Sequence, residues 1–558
     1  MDLWRILRRE ALRNIQPLML LAVLAAALNL ALLTSLNDAL LALDDPEGLQ
    51  RLLIVFLLSA FLWRIAQGWM MNAASKRMQA ALAVLRVDLL RRAVAADLPD
   101  AMAVGSSRLA QVAGPELQLL AQAVPTLVIS FQSVAAILLC LLYLATLSGA
   151  AVLIVLCFLV VGGILIGRSV IRLELMSETI HEAEGALSER SEHILQTLRE
   201  CKLNRRRAAN ALADATACAE TLRKERHRFG AEYSHYFTIS ELTYYAALAG
   251  IIFLLPAVTD TDIATVILAG HAAAFIAYPV ITIVASYPSY IAAETAARSY
   301  LAVEAELKAA PQAVVRGRTP DAGEDGFSTI ALDGATFRHA GRDGSGSFTV
   351  GPVDMTVERG SVVFITGHNG AGKSTLIHML LGLYPIQRGT LSVDGVAVGP
   401  DSLAAHRDRF AVVFSDSHVT RQLYGAATLD DGFADELLDL LEMSDKVALD
   451  GRAFTTVDLS QGQKKRLALI AALLERKPVL VLDEWAADQS PYFRRKFYRE
   501  IIPWLKARGI TVIAVTHDDA YFDAADVQLQ VDRGGIRRLV TTVSPGGIPA
   551  PDLLPASS

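Results

Sequence analysis

The sequence predicts two fold classes in one chain: an α-helical polytopic membrane domain of six transmembrane helices, then an α/β domain built on parallel strands. Two observations predict the first. Apolar residues make up 53% of the 558 and mean hydropathy is +0.37, more than a soluble domain needs, with the excess almost wholly before residue 290. Runs long enough to cross a bilayer, at about 20 residues per helix, lie near 16–35, 51–71, 124–147, 148–168, 243–259 and 263–287. One observation predicts the second. Beyond residue 326 the short β-branched runs SVVFIT, PVLVLDE and TVIAVTH alternate with helical patterns, as in parallel sheets whose strands are joined by helices.

Six spans place both termini on one side of the membrane, and charge names the side. Arg5, Arg8, Arg9 and Arg13 precede the first run, and the connections at 72–123 and 169–242 are rich in Arg. The 36–50 connection carries Asp38, Asp44, Asp45 and Glu47 with no Lys or Arg, and the loop around Asp260 and Asp262 also lacks basic residues. The positive-inside rule puts the termini and the α/β domain in the cytoplasm. The first run is longer than a signal-peptide core of about 7 to 15 residues and more spans follow it, so it reads as a retained helix.

Both basic connections are too long for turns. From Arg168 to Phe237 there is no proline, and only Gly185 and Gly230 interrupt a helix-forming composition. A single rod of that length would project far beyond any partner, so the stretch is expected to fold back, with its tip in CKLNRRRAAN, 201–210. The first connection is expected to reverse at ADLPDAMAVGSS, 96–107, where Pro99 and Gly105 break the pattern. The domain plan is therefore a membrane domain over 1–305, a Pro- and Gly-rich linker over 306–326, the α/β domain over 327–543 and a disordered tail over 544–558.

Composition removes some classes. The net charge of −6, without a long basic run at either end, gives no support to nucleic-acid binding. The four cysteines, Cys140, Cys157, Cys201 and Cys218, have neither metal-ligand spacing nor a disulfide framework.

The chemistry lies in the second half. In SVVFITGHNGAGKST an apolar strand runs into G-x-x-x-x-G-K-S, the spacing that wraps backbone N–H groups around phosphates ahead of a helix N-terminus. The loop Gly367, His368, Asn369, Gly370, Ala371, Gly372, Lys373, Ser374 and Thr375 is the candidate nucleotide site, with Lys373 for the β- and γ-phosphates and Ser374 for Mg²⁺. In PVLVLDEW, Asp483 ends a buried strand as a candidate Mg²⁺ ligand. Glu484 follows as the group to orient or deprotonate the attacking water. TVIAVTHDD ends another apolar strand with His517, which emerges at the same edge as the acids if the strands are parallel, within reach of a γ-phosphate. LSQGQKKR, 459–466, opens a basic helix with a second Ser-x-Gly-Gln turn.

Phosphate loop, LSQGQ, paired acids, ADQ with Asp488, then His517 follow one another across about 200 residues, and in that order the C-terminal half resembles the ATP-binding cassette of ABC transporters. The resemblance implies a P-loop NTPase fold, ATP and Mg²⁺ as cofactors, Ser460 and Gly462 at the γ-phosphate of a nucleotide held by the other cassette of a dimer, and Gln463 and Asp488 among the nucleotide-binding residues. One cassette and six spans then make a half-transporter that pairs with a second copy of itself or with a homologue. At the position of the aromatic that stacks on adenine stands His339, beside Phe337. Where the family carries a metal-sensing glutamine, AVVFSDSH supplies Ser415 and Asp416.

The membrane half resembles six-helix exporters, whose two cytoplasmic reversals are coupling helices. KLNRRR, FTVGPVDMTVERG and VFSDSH are similar to the bacterial cyclic-peptide and siderophore-precursor exporters of the pyoverdine and syringomycin type. Arg205 to Arg207 read equally as inside-positive charge and as coupling contacts. The leader-cleaving cysteine peptidase of some peptide exporters is not expected before residue 16. Arg64, Gln67, Gln132 and His271 are the costly residues within spans, and His271 is the better pathway candidate. The function implied is ATP-driven export of a cyclic peptide, nonribosomal peptide or siderophore precursor across the bacterial inner membrane to the periplasm. A broad lipid or multidrug exporter and an ATP-regulated channel or regulator are the rivals.

Overall fold

The computed structural model describes residues 2–6, 8–9, 16–309, 326–339, 348–416, 418–426 and 430–539. Most of the expected 306–326 linker and all of the expected 544–558 tail lie outside the described residues. The chain divides into two compact units, residues 1–93 with 104–309, and residues 94–103 with 310–558.

Among the described residues of the first unit six helices are long and apolar enough to cross a membrane: Gln16–Leu41, Pro46–Ala95, Ser106–Leu147, Gly149–Gln196, Arg205–Val258 and Ile263–Leu307. Most run well past the apolar segment that announces them. Pro46–Ala95 has 50 residues, about 75 Å at the helical rise against a hydrocarbon core of about 30 Å. No Pro or Gly follows Gly68 until Pro99, so nothing stops the helix when its composition turns polar.

The second reversal falls within the expected 201–210, at Asn204, with a short helix leading into it. Gly149–Gln196 ends at Thr197, Leu198–Leu203 forms a short helix, and the Asn204 side chain accepts the Arg207 N–H at 3.1 Å to start the next helix. Asparagine capping, rather than the arginine run behind it, sets this boundary. At the first reversal Leu98–Val104 is a short helix closed by Gly105 at φ +83°.

Spans four and five approach closely because glycine lines their contact. A Cβ added at Gly162 would meet Thr243 Cγ2 at 2.3 Å, and one at Gly250 would meet Phe158 at 2.7 Å. Small residues substitute for a hydrophobic drive between helices that lipid cannot supply, and polar pairs reinforce them. Ser130 Oγ lies 2.8 Å from Ser286 Oγ, Asn37 Nδ2 donates to Tyr143 Oη at 3.1 Å, and the Cys140 thiol donates to the Ala272 carbonyl at 3.2 Å. Arg64 and His271 are exposed in this unit, whereas the Gln67 and Gln132 side-chain oxygens are buried without a hydrogen-bond partner.

Among its described residues the second unit contains twelve strands. β1 (Thr329–Arg338), β2 (Thr349–Glu358), β4 (Arg388–Val393) and β5 (Val396–Ala397) form an antiparallel sheet in the order β2-β1-β4-β5. β3 (Val362–Thr366), β6 (Phe410–Val413), β9 (Val479–Asp483), β10 (Thr511–Val515), β11 (Val527–Asp532) and β12 (Gly535–Leu539) form the second, in the order β12-β11-β3-β10-β9-β6. β7 (Leu449–Asp450) and β8 (Ala453–Phe454) make a small ribbon. β3, β6, β9, β10 and β11 run parallel.

Both faces of the central strands are buried, which is why they read as unbroken apolar runs. Phe364, Leu480, Leu482, Val512 and Ala514 join the core under helix Gln461–Leu474. Their alternating neighbours Val363, Ile365, Val479, Val481, Ile513 and Val515 join the core under helix Lys373–Leu380 and the antiparallel sheet. The period of two assigns each residue to its side, and the parallel order brings the C-terminal ends of β3, β9 and β10 to one edge.

Candidate active site at the edge of the parallel sheet

The phosphate loop follows β3 directly. Gly367 has φ +144°, and a Cβ there would meet the Val531 carbonyl of β11 at 2.2 Å, so only glycine fits where the chain turns against that strand. Lys373 is buried, and its Nζ donates to the Gly367 and His368 carbonyls at 2.9 and 3.1 Å. The loop thus curls around its own lysine. Ser374 is exposed at the first turn of helix Lys373–Leu380, while Thr375 is buried. Asn369 and Gly370 are exposed and Ala371 is buried, its N–H bonded to the His368 carbonyl at 3.1 Å.

Asp483 and Glu484 end β9 beside this loop. Burial pushes the Asp483 carboxyl above its ordinary value, the adjacent Glu484 adds to the rise, and a hydrogen bond from the Ser415 hydroxyl, with Lys373 and Lys465, opposes it. A buried anion disfavoured in this way suits a cation. Asp483 and the exposed Ser374 hydroxyl are hard oxygen donors, and Mg²⁺ is held by one or two such groups plus phosphates, so the residues present fit the ion. Of the two residues at the glutamine position, Ser415 touches Asp483, whereas Asp416 faces His378, raising a histidine that burial lowers more strongly.

Glu484 adopts φ 49°, ψ 36° where the strand breaks into a short turn. Its Oε1 lies 3.3 Å from His517 Nε2 and 3.8 Å from Lys373 Nζ. The parallel pairing of β10 with β9 and β3 therefore gathers His517, Glu484 and Lys373 at one point.

His339 Nε2 lies 3.0 Å from the Thr375 hydroxyl, and its ring meets Phe337 edge-on at 5.0 Å. Phe337 is 6% exposed in the core, which leaves half-buried His339 as the ring that reaches the surface.

Ser460 caps helix Gln461–Leu474, and its N–H is accepted by the Gln463 side chain at 3.1 Å. A Cβ at Gly462 would lie 2.9 Å from the Asp488 carbonyl. Among the described residues no hydrogen bond or ion pair joins 460–463 to the phosphate loop. Asp488 instead pairs with Lys465 at 2.8 Å, on the same helix as Gly462.

Two connecting residues were not singled out from sequence. Gln489, 5% exposed, donates to the Gly462 carbonyl at 3.0 Å and accepts from Arg466 at 3.0 Å. Trp485 donates to the Lys465 carbonyl at 2.7 Å. The place of Gln489 next to Asp488 in the ADQ turn was the available signal for it; Trp485 gave none, because a buried Trp beside an acid pair reads as core.

The ABC transporter family model matches residues 350–487. ATP-binding protein SyrD of Pseudomonas syringae pv. syringae is 44% identical over 214 residues, 38% of this chain and 38% of that protein's length. Energy-coupling factor transporter ATP-binding protein EcfA1 of Levilactobacillus brevis is 30% identical over 230 residues, 39% of this chain and 80% of that protein. A solved bacterial Atm1-family ABC exporter with ATP bound superposes with a TM-score of 0.73 at 18% identity, covering 95% of this chain and 94% of the other. With six candidate spans ahead of a cassette whose sequence matches across most of EcfA1, the chain belongs to the ABC transporter family.

Proposed function

We propose that this chain is half of an ATP-driven exporter of the bacterial inner membrane, cassette in the cytoplasm, moving a cyclic peptide, nonribosomal peptide or siderophore precursor toward the periplasm. One observation carries the catalytic part: Glu484 sits between His517 and Lys373 at the mouth of the phosphate loop. There a carboxylate orients or deprotonates a water, a lysine meets the β- and γ-phosphates, and an imidazole meets the γ-phosphate as charge develops. Ser374 and Asp483 would hold Mg²⁺, which would supply charge neutralisation on the phosphates.

Ser460 and Gly462 stand on a helix whose hydrogen bonds lead to Gln489 and not to the chain's own loop. Their hydroxyl, backbone N–H groups and helix N-terminus suit a phosphate held by a second copy, so two chains close on two nucleotides. Closure then biases an inward–outward equilibrium, because the phosphate contact exists in one state only. The cargo class rests on KLNRRR and VFSDSH and on the 44% match to SyrD.

Inverted proteoliposomes carrying the full chain test the proposal. ATP-dependent accumulation of a cyclic lipopeptide against its gradient, lost in Glu484→Gln, is expected. Dissipation of an imposed gradient without hydrolysis would instead indicate a channel, and equal transport of unrelated lipids and dyes a broad exporter.

A further inference from the structure

Residues 94–103 cluster with the cassette rather than with the spans that flank them in sequence. Two contacts hold them there. Leu98 packs against the core that contains Leu376, Ile377 and Leu380 of the phosphate-loop helix. Asp97, 9% exposed, places Oδ1 3.8 Å from Arg407 Nη2 beside a cavity of about 350 Å³ that Gly382, Tyr384 and Leu403 also line.

Arg407 is in turn tied to the end of the phosphate-loop helix. Its Nε donates to the Gly382 carbonyl at 3.0 Å and its Nη2 to the same oxygen. The neighbouring His406, fully buried, donates from Nε2 to the carbonyl of Leu380, the last residue of that helix, at 2.8 Å. The helix has eight residues, about 12 Å of rigid rod. Its first turn continues the phosphate loop, and the carbonyls of Leu380 at its end and of Gly382 just beyond meet residues 406–407. Burial disfavours both charges of the pair, and each is the group that relieves the other.

We propose that Asp97 and Arg407 form a latch through which nucleotide at the N-terminal end of helix Lys373–Leu380 is felt by residues 94–103, and so by the spans continuous with them. The inference rests on the ATP-driven reading above. Its route runs through 406–407 and by-passes the Ser415–Asp416 position, where the family's glutamine is absent. Coupling requires an element that both ends bias; here that element is the short helix with its tethered C-terminus. Linkage makes the effect reciprocal, so whatever fixes 94–103 also changes ATP affinity.

Hydrogen exchange on the full chain in lipid nanodiscs, with and without a non-hydrolysable ATP analogue, tests the latch without needing the cargo. In the unaltered chain, peptides covering 367–376 and 94–104 should both slow on addition of the analogue, the second by about fivefold or more. In Arg407→Met and in Asp97→Ala the loop peptides should still slow while 94–104 no longer respond, and Asp97→Glu should restore the response. At saturating ATP, basal ATPase should stay within about twofold in all three, since neither residue touches nucleotide and linkage acts on affinity. An undiminished response of 94–104 in Arg407→Met would overturn the latch and leave the exporter reading standing. Loop peptides that fail to slow in the unaltered chain would overturn the ATP reading and the latch together.

Discussion

His517 Nε2 lies 3.3 Å from Glu484 Oε1, and Lys373 Nζ lies 3.8 Å from that same oxygen. One carboxylate is thus shared by a histidine just past β10 and by the lysine that opens the helix after the phosphate loop. Glu484→Gln keeps the shape and removes the carboxylate proposed as the base. ATP hydrolysis should fall about 10²- to 10⁴-fold while ATP binding persists. The check pairs phosphate release with equilibrium binding of radiolabelled ATP; loss of binding in step with hydrolysis would mean that Glu484 is structural.

The Ser415 hydroxyl donates to Asp483, a carboxylate already disfavoured as an anion by burial. Ser415→Ala leaves Asp483 with one donor fewer and free to rotate. The Mg²⁺ concentration for half-maximal ATPase should rise about tenfold or more, since a hydrogen bond to a charged group contributes about 1.5–3 kcal/mol. Metal-free binding of a fluorescent ATP analogue should not change. A Mg²⁺ titration unmoved by the substitution would remove Ser415 from the metal site.

Much of this arrangement was legible in the sequence because it depends on local rules. The phosphate loop needs Gly367 where β11 passes, and β9 and β10 announce themselves as runs buried on both faces, which fixes the common edge for Asp483, Glu484 and His517. Contacts made across the fold were not legible. The pairing of Gln489 with Gly462, and of Asp97 with Arg407, joins residues distant in sequence through side-chain geometry that no spacing records. The second reversal was legible within 201–210, though not to the residue: one cap, Asn204, decides where the next helix starts.

Spans four and five touch through Gly162, where a Cβ would lie 2.3 Å from Thr243 Cγ2, while a Cβ on Gly163 meets nothing within 4 Å. Adjacent substitutions therefore separate packing from helix propensity. Gly162→Ala should destabilise the membrane unit by about 1–3 kcal/mol, the usual cost of forcing a methyl into a filled contact. Gly163→Ala should be neutral or slightly stabilising, since alanine outranks glycine in a helix by about 1 kcal/mol. Thermal unfolding of the purified chain in detergent compares the two; equal effects would show that the helices do not meet at Gly162.

His406 offers a pH test in the cassette. Its Nε2 faces a carbonyl and must carry the proton, so the neutral ring has an unprotonated Nδ1, which is buried without a hydrogen-bond partner. Charging the ring would add a proton there, with nothing to accept it. Burial accordingly lowers the imidazole from 6.5 to about 4, with Arg409 and Arg407 adding to the effect and the Leu380 carbonyl opposing it. A histidine depressed in the fold contributes stability that is full above its unfolded value near 6.5. That stability is lost as pH falls toward about 4. Between pH 7.5 and 5 the loss amounts to about 2 kcal/mol at 1.36 kcal/mol per pKa unit. His406→Gln keeps a donor for Leu380 and cannot titrate, so the difference in melting between the two proteins cancels the other acids and bases. The cassette transition of the unaltered chain should drop more steeply from pH 7.5 to 5 than that of the variant. Parallel pH profiles would mean that the ring is already protonated, or already solvated, in the folded cassette.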